Sequence, residues 1–172
     1  GQGRVRATRT VGLDIPAGVD SGVRLHVPGA GEAGQAGGPN GDLYFEVRVR
    51  HDDVFSRDRD DLLCTLDVAM TDALLGATAA FTALDGDVSV EVKPGTQSAD
   101  VITVKGRGVT KLRSSARGDL RIGINVVIPS KLSGKERKII EEFAATHKHQ
   151  EPQLAHFQQG IFAKLRDRIF GA

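Results

Sequence analysis

The sequence has few of the residues on which disulfide, zinc and membrane structures depend. Its only cysteine is Cys64, so the 172 residues cannot form a disulfide framework or a multi-cysteine zinc site of their own. No apolar run approaches the roughly 20 residues that a membrane-spanning helix needs. The start of the chain, GQGRVRATRT, has no signal-peptide core and no initial methionine. These features predict a cytoplasmic protein with no membrane partner, and they predict that the chain is part of a longer one.

An excess of charge of either sign is also lacking. The 23 lysines and arginines face 22 aspartates and glutamates, which gives a formal net charge of +1. A balance of this kind gives no general attraction to nucleic acid or to an anionic membrane. Tryptophan is absent, but apolar residues make up 40% and charged residues 26% of the chain, a composition typical of globular proteins.

Glycine is abundant, with 21 residues, and short runs of alternating apolar and polar residues are frequent. Such runs predict strands at RTVGLDI, VRLHV, LYFEVRV, LLCTLDV, AAFTAL, VSVEV, VITVKG and LRIGINVVI. Two segments predict helices: MTDALLGA, ended by Gly76, and SGKERKIIEEFAATHKHQ, where Ser133 is an N-cap and Glu136 follows three residues later. The chain is therefore predicted to be mostly β, with a helical C-terminus.

An internal repeat organises the glycines. Gly18, Ser21, Gly29, Gly31, Gly41, Asp42 and Leu43 recur 77 positions later as Gly95, Ser98, Gly106, Gly108, Gly118, Asp119 and Leu120. Two copies of one β unit in tandem are the economical interpretation of this repeat. The segment that precedes the second copy has no counterpart before the first, so the first domain is predicted to be incomplete. The predicted divisions are 1–50 for the remainder of the first domain, 51–130 for the second, and 131–172 for a C-terminal helical region.

The repeat also bears on a literal G-x-G-x-x-G at Gly29, Gly31 and Gly34. A dinucleotide-binding fingerprint requires a helix directly after the glycines. Here Gly37, Gly38 and Pro39 would break such a helix. The second copy, moreover, replaces the third glycine by lysine. The sequence therefore predicts turn-forming glycines rather than a phosphate site, with Gly34 outside the repeated unit.

Several phrases resemble the C-terminal half of DnaJ-type co-chaperones, in order over roughly residues 1–143. They are IPAGVDSG, GAGEAG, NGDLYFEVRVRHDDVFSRDRDDL, ALLGA, TALDG, VKPGTQS, KGRGV, RGDL and VIPSKLSGKE. The opening GQGRV resembles the end of that family's last zinc repeat. One departure lies at Arg59, Asp60 and Asp61, where relatives often carry glycine or asparagine before Asp-Leu.

This resemblance implies two tandem β-sandwich-like substrate-binding domains, the first incomplete here, followed by a C-terminal helix that pairs two protomers. It implies binding of unfolded, extended apolar polypeptides and their delivery to a DnaK-type ATPase, without enzymatic activity in the chain itself. In the full-length protein it further implies a J domain and bound zinc, whereas no cofactor is expected here. The fragment is expected to bind clients and form a homodimer.

Strand addition at a free sheet edge beside apolar side chains would explain such binding. The client-binding residues are predicted to be Val11, Leu13 and Phe45, and the family's groove matches the chain at Val11 and Phe45. The alternative is that these side chains fill the domain core. The repeat points to a possible second, weaker client site at Val88, Val90 and Ile122, for which core packing is the favoured reading.

Two apolar stripes near the C-terminus suggest a dimer seam. The predicted dimerisation residues are Leu132, Ile139, Ile140, Phe143, Phe157, Ile161, Phe162 and Leu165. A helix lying in a membrane interface is the alternative for the second stripe, but its polar face carries acidic as well as basic groups.

A basic loop at 105–117 leaves a second function open. Lys105, Arg107, Lys111, Arg113 and Arg117 lie together and could bind nucleic acid or an acidic tail of the ATPase partner, although a solvated loop is the favoured interpretation. His147, His149 and His156 have no cysteine or carboxylate at metal-ligand spacing, so no metal site is expected. No catalytic constellation is apparent either.

Overall fold

The computed structural model describes residues 5–147 and 151–154. Within these ranges the chain forms the following strands and helices: β1 (Arg24–Val27), β2 (Leu43–Glu46), β3 (Ser56–Asp58), β4 (Asp61–Ala69), α1 (Met70–Leu75), β5 (Ala77–Ala83), β6 (Gly86–Val92), β7 (Val101–Val104), β8 (Leu120–Val127) and α2 (Gly134–Thr146). The mostly-β prediction with a helical C-terminus is confirmed.

One predicted strand is not formed. The segment RTVGLDI, residues 9–15, belongs to no strand, whereas its counterpart 77 positions later lies in β6 and pairs with β5. In the described part of the chain, no strand lies before residues 9–15 to play the role of β5. Conversely, β3 is present but escapes the sequence pattern because Ser-Arg-Asp has no apolar alternation.

The strands form three sheets in the described residues. β1 and β2 make an antiparallel two-stranded sheet, β3-β4-β8-β7 make a four-stranded sheet, and β5 and β6 make another pair. Leu25 lies opposite Phe45 in the first sheet, and Ile102 lies opposite Ile122 in the second. These two pairs occupy the same places in the repeat, so the register of β1–β2 is the register of β7–β8.

The repeat extends to individual backbone hydrogen bonds. In the first copy, the Gly22 amide donates to the Val47 carbonyl and the Val47 amide donates to the Val23 carbonyl, both at 2.9 Å. In the second copy, the Ala99 amide donates to the Ile124 carbonyl and the Ile124 amide donates to the Asp100 carbonyl, both at 2.8 Å. We therefore call residues 11–49 the first repeat and residues 88–126 the second repeat. The two copies predicted from the sequence are two copies of one hydrogen-bonded unit.

The glycines of the G-x-G motif serve the chain reversal between strands. Gly29 and Gly106 have φ values of 67° and 69°, the left-handed conformation that glycine adopts without steric cost. Gly31 needs its small size instead, because a Cβ there would overlap the backbone of Gly41. Gly34 lies outside the repeat but is also constrained, since a Cβ would overlap the carbonyls of Gly38 and Pro39. The predicted turn role is confirmed, and a short 3-10 turn, Gln35–Gly37, follows in place of a phosphate-binding helix.

The chain divides into two compact units. The first comprises Gly1–Leu66, Ala80–Val90 and Val101–Gly123, and the second comprises Asp67–Ala79, Glu91–Asp100 and Ile124–Ala172. The division at 50 and 130 that the repeat predicts is a different partition of the chain, and it stays a prediction.

Fully buried apolar side chains are unevenly distributed along the chain. The first unit buries Leu62, Ala83, Val88, Val90, Leu120 and Ile122, and the second buries Val68, Ala73, Val92 and Ile124. Among the described residues, none of these lies before residue 62. The first repeat therefore holds its apolar side chains only partly buried, whereas the second repeat contributes to a closed core.

Each helix has one terminus at a predicted signal. α1 ends at Gly76, whose φ of 84° suits a helix C-cap. α2 begins at Ser133, whose amide donates to Glu136 Oε2 at 2.7 Å while its hydroxyl accepts from the Glu136 amide at 3.3 Å. This reciprocal capping box confirms the predicted N-cap.

Candidate functional site

A surface groove lies beside the first sheet. Its cavity has a volume of about 440 Å³ and is lined by residues 12–16 on one side and 25–28 on the other. Its apolar lining residues are Leu13, Ile15, Pro16, Leu25, Val27 and Pro28. We call this cavity the first-repeat groove.

Phe45 continues the apolar surface from this groove. It lies opposite Leu25 in the β1–β2 register, and cross-strand partners share one face of a sheet. Leu43, opposite Val27, lies on that same face. Phe45, Leu43, Leu25 and Val27 are all partly buried, so each keeps apolar surface accessible to solvent.

The two repeats treat equivalent side chains differently. Val88, Val90 and Ile122, in the second repeat, are 5%, 6% and 0% exposed. Their first-repeat counterparts, Val11, Leu13 and Phe45, are only partly buried. Because both sets occupy the same positions of the same unit, the difference arises from what covers them.

The covering strands account for this difference. In the second repeat, β8 lies between β7 and β4, and β6 pairs with β5. In the described part of the first repeat, β2 is hydrogen-bonded to β1 alone, and residues 11–15 pair with no strand. Two strand edges that are covered in the second repeat are thus not covered by any strand of the described residues in the first.

The open edge of β2 presents particular backbone groups. The Val47 amide donates to the Val23 carbonyl, so the odd-numbered residues of β2 are those bonded to β1. In an antiparallel pair, the residues between them direct their N–H and C=O groups to the other side. Tyr44 and Glu46 therefore present the backbone groups with which an added strand can pair.

The predicted client-binding residues fall in this region, though not all in one cavity. Leu13 lines the first-repeat groove, Phe45 lies on the adjoining sheet face, and Val11 is partly buried but does not line the groove. The sequence reasoning missed Leu25 and Val27 as lining residues. The β1–β2 register, which places Leu25 opposite Phe45, is the signal that would have found them.

The possible second client site has a different environment. Val88, Val90 and Ile122 are buried, so a client cannot reach these side chains in this structure. Their burial favours the alternative reading of these residues as core, and the physical reason is the covering of β6 and β8 by neighbouring strands.

The predicted dimer seam is only partly within the described residues. On α2, Ile139 and Phe143 are 55% and 51% exposed, and Leu132 and Ile140 are partly buried. No residue of α2 is fully buried. The remaining predicted dimerisation residues, Phe157, Ile161, Phe162 and Leu165, lie outside the described residues.

Most cations of the basic loop are already paired. Arg117 and Arg107 both contact the Asp85 carboxylate, at 2.7 and 2.8 Å, and Lys105 contacts Asp119 at 2.9 Å. Arg117 also donates to the Gly108 carbonyl. Three of the five cations are therefore paired with carboxylates, which reduces the positive charge available to bind phosphates.

An aspartate stabilises the G-x-G turn in each repeat. Asp42 accepts from the Gly29 amide at 2.9 Å and lies 2.7 Å from His26, and both interactions hold the pKa of its carboxyl below the usual value. Asp119 accepts from the Gly106 amide at 3.0 Å, and this bond followed by Lys105 lowers its pKa in the same way. The Gly-Asp-Leu triplet recurs because its aspartate closes this turn.

These lowered pKa values predict acid sensitivity. The unfolded chain binds protons on Asp42 and Asp119 more readily than the folded chain, so their stabilisation is complete above the ordinary aspartate pKa of about 4. It is lost as the pH falls through their lower folded values. We expect the free energy of unfolding, measured by urea titration, to be level from pH 7 to pH 5 and to fall below about pH 4. Replacing both aspartates by asparagine should flatten that fall.

A loss of stability centred near pH 6 would contradict this expectation, because histidines titrate there. The double variant keeps an oxygen acceptor at each turn but cannot titrate. It therefore separates the protonation effect from the hydrogen bond itself.

The described residues give little support to a nucleophilic cysteine, a metal site or a membrane-spanning helix. Burial raises the pKa of the Cys64 thiol, which disfavours the thiolate that a nucleophile or metal ligand needs. In the described ranges, no group of three histidine, cysteine, aspartate or glutamate side chains has an arrangement that could hold a metal ion. A single cysteine cannot form a multi-cysteine structural zinc site within the 172 residues. Among the helices of the described residues, none is long and apolar enough to cross a membrane.

Comparison with known sequences places these features in a family. The profile described as "DnaJ C terminal domain" matches residues 3–129. A protein of Leifsonia xyli subsp. xyli named "Chaperone protein DnaJ" is 68% identical over 96% of this chain and 45% of its own length. "Chaperone protein DnaJ 1" of Mycolicibacterium paratuberculosis is 44% identical over 99% of this chain and 46% of its own length. The chain thus spans about half the length of the curated relatives it matches.

Proposed function

The chain belongs to the DnaJ C-terminal domain family, and we propose that it is the client-binding part of a co-chaperone. In this proposal it binds unfolded or extended apolar polypeptide segments and acts without catalysing a reaction. The full-length protein would deliver those clients to a DnaK-type ATPase in the cytoplasm.

One observation carries the proposal: the first repeat leaves accessible the apolar positions that the second repeat buries. Val11, Leu13 and Phe45 are only partly covered, while Val88, Val90 and Ile122 are closed off. A client that supplies apolar side chains to the first set would gain about 25 cal/mol for each Å² removed from water. In this proposal the same unit serves as core in the second copy and as a binding surface in the first.

Strand addition explains how such a surface accepts many different clients. An extended segment beside β2 would pair its backbone with the outward groups of Tyr44 and Glu46, which provides affinity without reading sequence. Its alternate side chains would then lie over Phe45 and toward the first-repeat groove. Selectivity for apolar residues comes from Leu13, Leu25 and Phe45 rather than from charge.

The direct test is suppression of aggregation. Chemically denatured citrate synthase is diluted into buffer with and without the full 172-residue chain, and light scattering follows its aggregation. The proposal expects the chain to slow aggregation in proportion to its concentration. Unchanged scattering at a molar excess of the chain would refute it.

We also propose that the chain dimerises through its C-terminal region. Ile139 and Phe143 expose apolar surface on α2, and partner burial of such a stripe is the usual reason for its presence on a helix. Dimerisation would bring two first-repeat grooves into one molecule, and two linked sites raise the apparent affinity for a client that reaches both.

Deleting residues 131–172 is expected to convert the dimer into a monomer, as measured by light scattering coupled to size exclusion. The double variant Ile139→Ser with Phe143→Ser should weaken the dimer in the same direction. Lys135→Ser with Lys138→Ser, which leaves the apolar stripe intact, serves as the control. A dimer that survives the deletion would contradict the proposed seam.

A further inference from the structure

A single arginine holds the turn that joins the two walls of the first-repeat groove. Arg57, on β3, donates from Nη1 to the Val19 carbonyl at 2.7 Å and from Nη2 to the Gly18 carbonyl at 2.9 Å. Its Nε donates to the Arg59 carbonyl at 2.6 Å. The carboxylate of Asp20 lies 3.6 Å from the same guanidinium, whose side chain is only 20% exposed.

The turn held by Arg57 connects the two segments that line the first-repeat groove. Residues 12–16 form one wall of the groove and end where the turn begins. β1, which supplies the other wall, begins at Arg24, a few residues after the turn. Any shift of the turn relative to β3 is therefore transmitted to residues 12–16, which no strand pairing holds in place.

A second contact fixes the same turn. A Cβ at Gly18 would overlap the carbonyl oxygen of Thr110 and lie 3.0 Å from the Leu112 amide nitrogen. The equivalent Gly95 has nearly the same φ, 83° against 84°, but a Cβ there would meet nothing within 4 Å. The close packing at Gly18 is therefore a feature of the first repeat and not a requirement of the turn itself.

From these contacts we propose that Arg57 and Gly18 position the first-repeat groove for its client, although neither lines it. Arg57 binds the turn through two carbonyls, and Gly18 lets the turn lie against the backbone of the 110–112 segment. This inference rests on the proposed client-binding function. A binding site held loosely by its supporting residues loses affinity even when every contact side chain is present.

The repeat supplies a matched pair of variants for the test. Gly18→Ala and Gly95→Ala both place a side chain at a left-handed φ, so they share that conformational cost. Only Gly18→Ala also collides with Thr110. Arg57→Ala removes the other contact, and Arg57→Lys keeps the charge without the planar two-bond geometry.

Affinity is measured by fluorescence anisotropy with a fluorescein-labelled nonapeptide that carries leucine at its three central positions and serine elsewhere. We expect Gly18→Ala and Arg57→Ala each to weaken peptide binding by about fivefold or more. The affinity of Arg57→Lys should lie between that of Arg57→Ala and that of the parent. Gly95→Ala should change the affinity by less than about twofold. Cooperative thermal unfolding, followed by circular dichroism, shows which variants are folded. Parent-like affinity in folded Arg57→Ala, or an equal loss in Gly95→Ala, would overturn the proposal.

A separate measurement distinguishes failure of this inference from failure of the proposed function. Amide exchange of Val19 and Val23, whose N–H groups donate to Pro16 and Asp20 within the turn, is compared by NMR in the parent and in Arg57→Ala. Faster exchange in the variant is expected whether or not peptide is present. Unchanged exchange would refute the positioning role, whereas a parent chain that binds no peptide would refute the client-binding function on which it rests.

Discussion

Replacing Phe45 by serine is expected to weaken binding of an unfolded client by about threefold or more while leaving the chain folded. Burying a phenylalanine side chain contributes about 1.5–3 kcal/mol, and every 1.4 kcal/mol is a factor of ten in affinity. Phe45 keeps a minority of its surface exposed without a client, so part of that gain remains available for binding. Anisotropy with the leucine-centred peptide and the citrate synthase assay should show the same loss.

The control for this variant is Leu84→Ser. Leu84 is 61% exposed but does not line the first-repeat groove, and its replacement also removes a large apolar side chain from the surface. Its affinity for the peptide should stay within about twofold of the parent. Equal losses in Phe45→Ser and Leu84→Ser would mean that binding follows general surface hydrophobicity rather than the first repeat.

At Ile122, the position in the second repeat equivalent to Phe45, a substitution should reduce stability rather than client binding. Ile122 is fully buried, so Ile122→Ala removes core contacts and leaves a cavity. We expect the free energy of unfolding to fall by about 3 kcal/mol, within the range found for buried isoleucine truncations. That is a large fraction of the 5–15 kcal/mol typical of a domain. Urea titration at pH 7 measures it.

Phe45→Ala is the matched comparison for this loss of stability. Because Phe45 is partly exposed, its truncation should cost about 1 kcal/mol. The account is contradicted if Phe45→Ala costs as much as Ile122→Ala, since the two positions would then be equally buried in solution. It is equally contradicted if Ile122→Ala leaves the free energy of unfolding unchanged.

The repeat could be predicted from the sequence because it is carried by residues with local physical roles. Glycines at left-handed φ and an aspartate that accepts from a turn amide recur wherever the turn recurs, as at Gly29 with Asp42 and at Gly106 with Asp119. The helix signals at Gly76 and Ser133 were predictable for the same reason. Each depends on a few neighbouring residues.

The difference between the two repeats was not predictable in this way. Val11 and Val88 follow the same alternating pattern, so the sequence assigns them the same face of the same unit. Whether that face is covered depends on β4 and β5, which join β8 and β6 through tertiary pairing. The missing strand at residues 9–15 has the same cause, because alternation indicates a strand but cannot supply its partner.

The ion pairs made by the arginines of the basic loop could not be predicted from the sequence pattern either. Arg117 and Arg107 converge on Asp85, more than 20 residues earlier in the chain, and only the fold brings them together. Arg57 is a further example, since its partners Gly18 and Val19 are distant in sequence. Arg59 has a φ of 56°, so the left-handed turn forms there even with a residue that rarely adopts this conformation.

Residue-resolved amide exchange, measured by NMR on the full chain with and without the leucine-centred peptide, tests the central claim most directly. If an extended client adds to the open edge of β2, the amides of Tyr44 and Glu46 should become protected on peptide addition. The amides of β8, already paired on both sides, should not change. Protection confined to the 105–117 loop, or no protection at Tyr44 and Glu46 under saturating peptide, would contradict strand addition at the first repeat.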